Sequence, residues 1–94
     1  MKFPYEKQFL ICTGARCNDD RHGDDAGLPI REELKHLNKK LGRKALVRVC
    51  SVSCLDLCEL GPNIVVWPEG EVHTGQTRKS AIRLYHAVMK DEEN

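Results

Sequence analysis

Aromatic side chains are scarce in this chain of 94 residues: Phe3, Tyr5, Phe9, Trp67 and Tyr85 are all there are. With so few rings to stack bases, a nucleic-acid-binding surface is a poor fit. Net charge is missing too. Fifteen Lys and Arg stand against fourteen Asp and Glu, a formal +1 with His neutral. No global field therefore gathers nucleic acid or an anionic membrane, and any partner must be recognised locally. Long apolar runs are absent as well: Met1 to Gln8 contains none, and Phe9-Leu10-Ile11-Cys12 is too short for a signal core or a membrane span. The expected location is cytoplasmic. There is no repeat, no low-complexity segment and little Gly or Pro, so the chain reads as one soluble globular domain over residues 1–94.

Against these absences stands an excess of cysteine, five in so short a chain: Cys12, Cys17, Cys50, Cys54 and Cys58. In a reducing cytosol, thiols at irregular spacing point to metal ligation or redox chemistry rather than a disulfide framework, and an odd number cannot all pair within one chain. Function is to be sought at the cysteines.

Periodicity places them. Lys7 to Cys12 and Ala45 to Cys50 are short runs rich in apolar and β-branched residues, each ending at a cysteine, and both are expected to be strands. Ile64-Val65-Val66-Trp67 makes a third, and Trp67-Pro68-Glu69-Gly70 predicts a type I turn returning Glu71-Val72-His73 as a short antiparallel strand. Between the first two strands Ile30, Leu34, Leu37 and Leu41 recur at helical spacing, with Pro29, Glu32 and Glu33 suited to the first turn, Lys39 and Lys40 to the last, and Gly42 as the stop. A second helix is expected over about Thr77 to Met89, with Ala81, Ile82, Leu84, Tyr85, Val88 and Met89 making a broad apolar face. The order β-α-β-β-β-α predicts an α/β fold: a right-handed parallel crossover, an added antiparallel hairpin and a mixed four-stranded sheet with two helices, the minimal thioredoxin-like arrangement. Ligands of such sheets collect beyond the carboxyl ends of the parallel strands, where Cys12 and the stretch Cys50 to Cys58 are expected.

Cys12 and Cys17 are separated by Thr-Gly-Ala-Arg, and Cys54 and Cys58 by Leu-Asp-Leu. Two loops offering two thiolates each would meet the needs of a cluster of two irons and two sulfides. Zinc could also use four thiolates, though its common C-x2-C knuckle is absent, and the C-x-x-C of thiol–disulfide exchange is missing too.

At these residues the sequence resembles a known family. Cys12-Thr-Gly-Ala-Arg-Cys17 followed by Cys54-Leu-Asp-Leu-Cys58-Glu-Leu-Gly61-Pro62 is similar to the thioredoxin-like 2Fe-2S ferredoxins, and the C-x4-C then C-x3-C spacing looks most like the ferredoxin domain of the small cluster-bearing subunit of NADH dehydrogenase. The later Gly-Pro-Asn-Ile-Val-Val-Trp-Pro-Glu-Gly resembles the Gly-Pro, Val-rich strand and turn of the stand-alone ferredoxins. The resemblance implies an electron carrier rather than an enzyme, a 2Fe-2S cluster held by Cys12, Cys17, Cys54 and Cys58, and a redox partner protein. It departs from the family at Ser53, where a Gly often precedes the third cysteine, and in the additional Cys50, read as a packed thiol with the role of third ligand as its alternative. A zinc-stapled interaction module and an electron-input subunit of a larger oxidoreductase stay open as other readings.

His22, His36, His73 and His86 stand at no ligand spacing from a cysteine. Asp56, Glu59, Asp19, Asp20, Asp24 and Asp25 form either a solvated rim or an acidic lip for a basic partner. Lys35, Lys39, Lys40, Arg43, Lys44 and Arg48 form a basic counterpart. The continuous apolar runs Phe9-Leu10-Ile11 and Ile64 to Trp67 would leave large side chains on any uncovered sheet face, so a homodimer is expected there, or else coverage by Phe3-Pro4-Tyr5.

Overall fold

The structure is a computed structural model, and it describes residues 4–14, 20–52 and 61–90. The elements run β1 (Lys7–Cys12), α1 (Gly27–Lys40), β2 (Val47–Val52), β3 (Ile64–Trp67), β4 (Glu71–His73) and α2 (Arg78–Met89), with a short 3-10 segment, Asp20–Asp25, before α1. One mixed sheet has the order β2-β1-β3-β4. β1 pairs in parallel with β2, from Lys7 opposite Val47 to Cys12 opposite Val52. It pairs antiparallel with β3, Phe9 opposite Val66, and β3 pairs antiparallel with β4. The expected α/β, thioredoxin-like architecture is the one observed.

The pleat explains the apolar runs. Phe9 and Ile11 of β1, Val47 and Val49 of β2 and Ile64 and Val66 of β3 point one way, into a core closed by Ile30 and Leu34 of α1 and Ala81 and Tyr85 of α2. Both helices therefore lie on one face of the sheet. The Cα extents of 36 × 32 × 18 Å are those of one helical layer on one sheet. The alternate residues Leu10, Val65, Trp67 and Val72 belong to the other face, where Val65 is buried by its neighbours but Trp67 and Val72 are nearly half exposed. At the amino end of β1, Tyr5, Glu6, Gln8, Trp67 and Pro68 frame an open cleft of about 410 Å³. Tyr5 is thus placed beside Trp67, while Phe3 lies outside the described residues.

A polar bridge pins α1 to β2 and α2 inside this core. The buried Asn38 donates to the Val47 carbonyl at 3.0 Å and accepts from the Tyr85 hydroxyl at 2.7 Å. Tyr85 also stacks on Phe9, ring centroids 5.3 Å apart, and has the Arg43 guanidinium 5.8 Å from its ring centroid. Burying an amide with both polar ends bonded fixes the helix register as well as filling space.

Four expectations need correction. Helix α1 begins at Gly27, so Glu32 and Glu33 fall beyond its first turn, and it ends at Lys40, which leaves Leu41 as an exposed cap before Gly42 at φ 69. β2 begins at Val47 rather than Ala45, because the N–H groups of Leu46 and Val47 both turn back to the Arg43 carbonyl. The β3–β4 connection is not a type I turn over Trp67 to Gly70. Its closing bond runs from the Gly70 N–H to the Val66 carbonyl, a five-residue loop, with cis peptide bonds at Trp67-Pro68 and also at Gly61-Pro62. Finally, the shift of β2 moves Cys50 from the end of a strand to its interior.

Candidate functional site

The carboxyl ends of β1 and β2 are joined by a compact set of backbone bonds. Thr13, just past β1, donates its N–H to the Val52 carbonyl at 2.8 Å and its hydroxyl to the same oxygen at 3.2 Å. Cys12 donates its N–H to the Asn63 carbonyl at 3.0 Å. One dipeptide, Cys12-Thr13, therefore holds the end of β2 on one side and the approach to β3 on the other. Cys12 is itself fully buried.

The amino end of α1 presses on the same dipeptide. A Cβ added to Gly27 would stand 2.1 Å from the Cys12 carbonyl oxygen, closer than real Cβ atoms come, and 3.3 Å from the Thr13 Cα, a tight contact. Gly27 is needed for proximity, since its φ is not in the left-handed region. It lets the first turn of α1 lie against the strand end, where the partial positive charge of the helix N-terminus favours an anion. Sequence reasoning did not single out Gly27, Thr13 or Asn63. Nothing in their spacing marks a close backbone approach, which depends on how α1 crosses β1.

Of the four expected ligands, Cys12 is at this joint, and Cys17, Cys54 and Cys58 lie outside the described residues. Among the described residues no three His, Cys, Asp or Glu side chains gather at metal-binding distance. Cys50 is opposite Leu10 on the helix-free face of the sheet, half buried, with the Gln8 amide 3.9 Å from its sulfur. It is neither in the main core nor at the Cys12 joint, so the packed-thiol reading holds only in part. The expected acidic rim is partly committed to structure. Asp25 accepts from the Arg78 N–H at 2.9 Å at the start of α2, and Asp24 stands 3.9 Å from the Arg78 guanidinium. Asp19, Asp56 and Glu59 lie outside the described residues. No helix among the described residues is long and apolar enough to cross a membrane.

No family model and no curated protein matches the sequence. Solved structures do. The thioredoxin-like [2Fe-2S] ferredoxin from Aquifex aeolicus superposes with a TM-score of 0.76 at 14% identity, over 92% of this chain and 87% of that one. A second structure of that ferredoxin gives 0.70 at 13% identity, over 94% and 86%. A cysteine-to-serine variant of it gives 0.66 at 16% identity, over 89% and 87%. At such identities the likeness is one of fold, and the chain has the thioredoxin-like fold that these [2Fe-2S] ferredoxins also have.

Proposed function

We propose that the chain is a one-electron carrier holding a 2Fe-2S cluster on Cys12, Cys17, Cys54 and Cys58. The observation that carries this reading is the joint at Cys12-Thr13. Both cysteine-bearing stretches of sequence begin or end on it: Cys17 follows Cys12 by five residues, Cys54 follows Val52 by two, and Cys58 precedes Gly61 by three. The donor chemistry fits as well. A thiolate at the fully buried Cys12 has lost its water shell and is stable there only with a compensating cation, which a metal supplies.

When bound, such a cluster supplies one reversible electron step at a negative potential, about −400 mV for an all-thiolate plant-type centre. The protein's own contribution is placement. Thr13 and Asn63 fix the backbone on either side of Cys12, α1 covers it, and burial keeps water from its sulfur. The fold of the structural neighbours supports the same reading, as does the absence from the sequence of a C-x-x-C dithiol. A redox partner protein and a second copy of the chain covering Trp67 and Val72 belong to this proposal.

Anaerobic purification followed by iron, sulfide and reductive titration tests it. The expected result is two irons, two acid-labile sulfides and one electron taken up per chain. A colourless protein with one zinc and no sulfide would replace it with the zinc-stapled module. Sedimentation at micromolar concentration tests the dimer, and a 10.7 kDa species unaffected by substitution of Trp67 would remove it.

A further inference from the structure

The near-zero net charge conceals a segregation. From Leu34 to Leu55 the sequence contains six cations, Lys35, Lys39, Lys40, Arg43, Lys44 and Arg48, and no acidic residue. The fold gathers them along the second half of α1, the α1–β2 connection and the start of β2, at the end of the strands opposite Cys12. Among the described residues no acid forms an ion pair with Lys35, Lys39, Lys40, Lys44 or Arg48. Three of them, Lys35, Lys44 and Arg48, line a cleft of about 50 Å³ between α1 and β2, with room for one carboxylate-sized group. Its floor is fixed, because Asn38 is bonded at both polar ends.

A second observation lies along the same edge. β2 is the outer strand, paired with β1 alone. The carbonyls of Leu46 and Val52 accept from Glu6 and Thr13, so the even-numbered residues of β2 turn their backbone groups toward β1 and the odd-numbered ones turn outward. Val47 is satisfied, its N–H by Arg43 and its carbonyl by Asn38. The outward N–H and C=O groups of Val49 and Ser51 meet no partner among the described residues. Beside the cations, Leu41 and Leu46 are about two-fifths exposed or more.

We propose that this edge is a docking site for an extended acidic segment of a protein partner. The segment adds as a strand to β2 at Val49 and Ser51 and places a carboxylate in the α1–β2 cleft beside Lys35 and Lys44, while Arg48, on the helix-free side of the pleat, flanks the same edge. Strand addition gives affinity through the backbone, and the cleft gives selectivity for an acidic side chain. The same cations discourage edge-to-edge pairing with another basic strand. A concave notch beside open backbone groups suits a peptide better than a flat lipid surface, and no aromatic ring lines it for base stacking. A partner held here lies along β2, the strand that leads to the Cys54 stretch. The proposal itself does not depend on what the cysteines hold.

The test uses the full chain and an eight-residue peptide alternating Glu and Thr, followed by fluorescence anisotropy and by amide hydrogen exchange. The peptide is expected to bind, to slow exchange at Val49 and Ser51, and to weaken about tenfold or more when Gln replaces its Glu residues or when the chain carries Lys44→Glu with Arg48→Glu. Both cations are exposed, so folding of that variant is checked simply by circular dichroism. Methylating alternate backbone nitrogens of the peptide should abolish binding in one register and spare it in the other. Equal binding of both methylated peptides would refute strand addition. Equal binding to the charge-reversed chain would refute the cleft, and capture by phosphatidylglycerol vesicles with no binding of the peptide would assign the edge to membranes instead.

Discussion

The two ends of the β1–β2 pair are built on opposite principles. At the carboxyl end, a buried Cys12, a Thr13 that bonds twice to one carbonyl and a glycine-tight helix leave no room for adjustment. At the amino end, exposed Leu41 and Leu46, an open glycine at Gly42 and the exposed cations Lys39, Lys40, Lys44 and Arg48 face water. One end can hold a group in fixed geometry. The other can meet something that arrives from solution. On the proposed reading, one small fold separates a site held tightly by backbone contacts from a surface left open to solvent.

The strongest way to break that contrast is at Gly27. Ala there gains at most the ~1 kcal/mol of helix-interior propensity but must displace the Cys12 carbonyl from a 2.1 Å collision. Overpacking against backbone should win, with a net loss of about 2–3 kcal/mol and a melting temperature lower by roughly 10 °C or more in thermal unfolding. An unchanged melting temperature would show that α1 rides more loosely on the strand end. Next in size is Asn38→Ala, which removes the donor from the Val47 carbonyl and the acceptor from the Tyr85 hydroxyl. Chemical denaturation should report a loss of about 2 kcal/mol.

How far the sequence disclosed all this differs by element. β1 and β3 match the expected bounds because each is rich in apolar or β-branched residues and limited by Pro, Gly or polar residues, and β4 matches because the Pro-Glu-Gly reversal after β3 returns it. The beginning of β2 does not, because Ala45 and Leu46 look like strand but are taken by a turn on the Arg43 carbonyl, a local bond with no compositional signature. Cys50 was misplaced because β2 runs on past it to Val52. The continuous apolar runs suggest an excess that some cover must hide, yet two residues of each run face the helices, and the apolar residues left most open on the other face are Val72 and Trp67. The cysteine spacing identified the candidate ligands, whereas Gly27 and Asn63 act through tertiary contact and are visible only once the chain is folded.

Smaller effects sharpen the comparison from the amino end. Gly42 has φ 69 and nothing within 4 Å of an added Cβ, so Gly42→Ala should cost about 1 kcal/mol, from conformation alone. Equal losses at Gly27 and Gly42 would erase the distinction between the two ends. The smallest effect is expected at Glu69, exposed in the β3–β4 loop, whose carboxyl is held below its ordinary value first by the hydrogen bond from Lys7 and then by its own backbone. A depressed carboxyl stabilises the fold above its unfolded pKa and loses that stabilisation as pH falls through the lower folded value. Glu69→Gln should therefore leave the neutral-pH melting temperature almost unmoved and only flatten the acid limb of its pH profile.

The account turns on whether the proposed cluster is held by Cys12, Cys17, Cys54 and Cys58, and five single Cys→Ala variants, each assayed anaerobically for iron and labile sulfide, address it most directly. Loss of both in the variants of Cys12, Cys17, Cys54 and Cys58, with full content in Cys50→Ala, is the predicted result. Full content in Cys12→Ala, or loss in Cys50→Ala with retention in Cys54→Ala, would contradict it and move the site away from the joint at the strand ends.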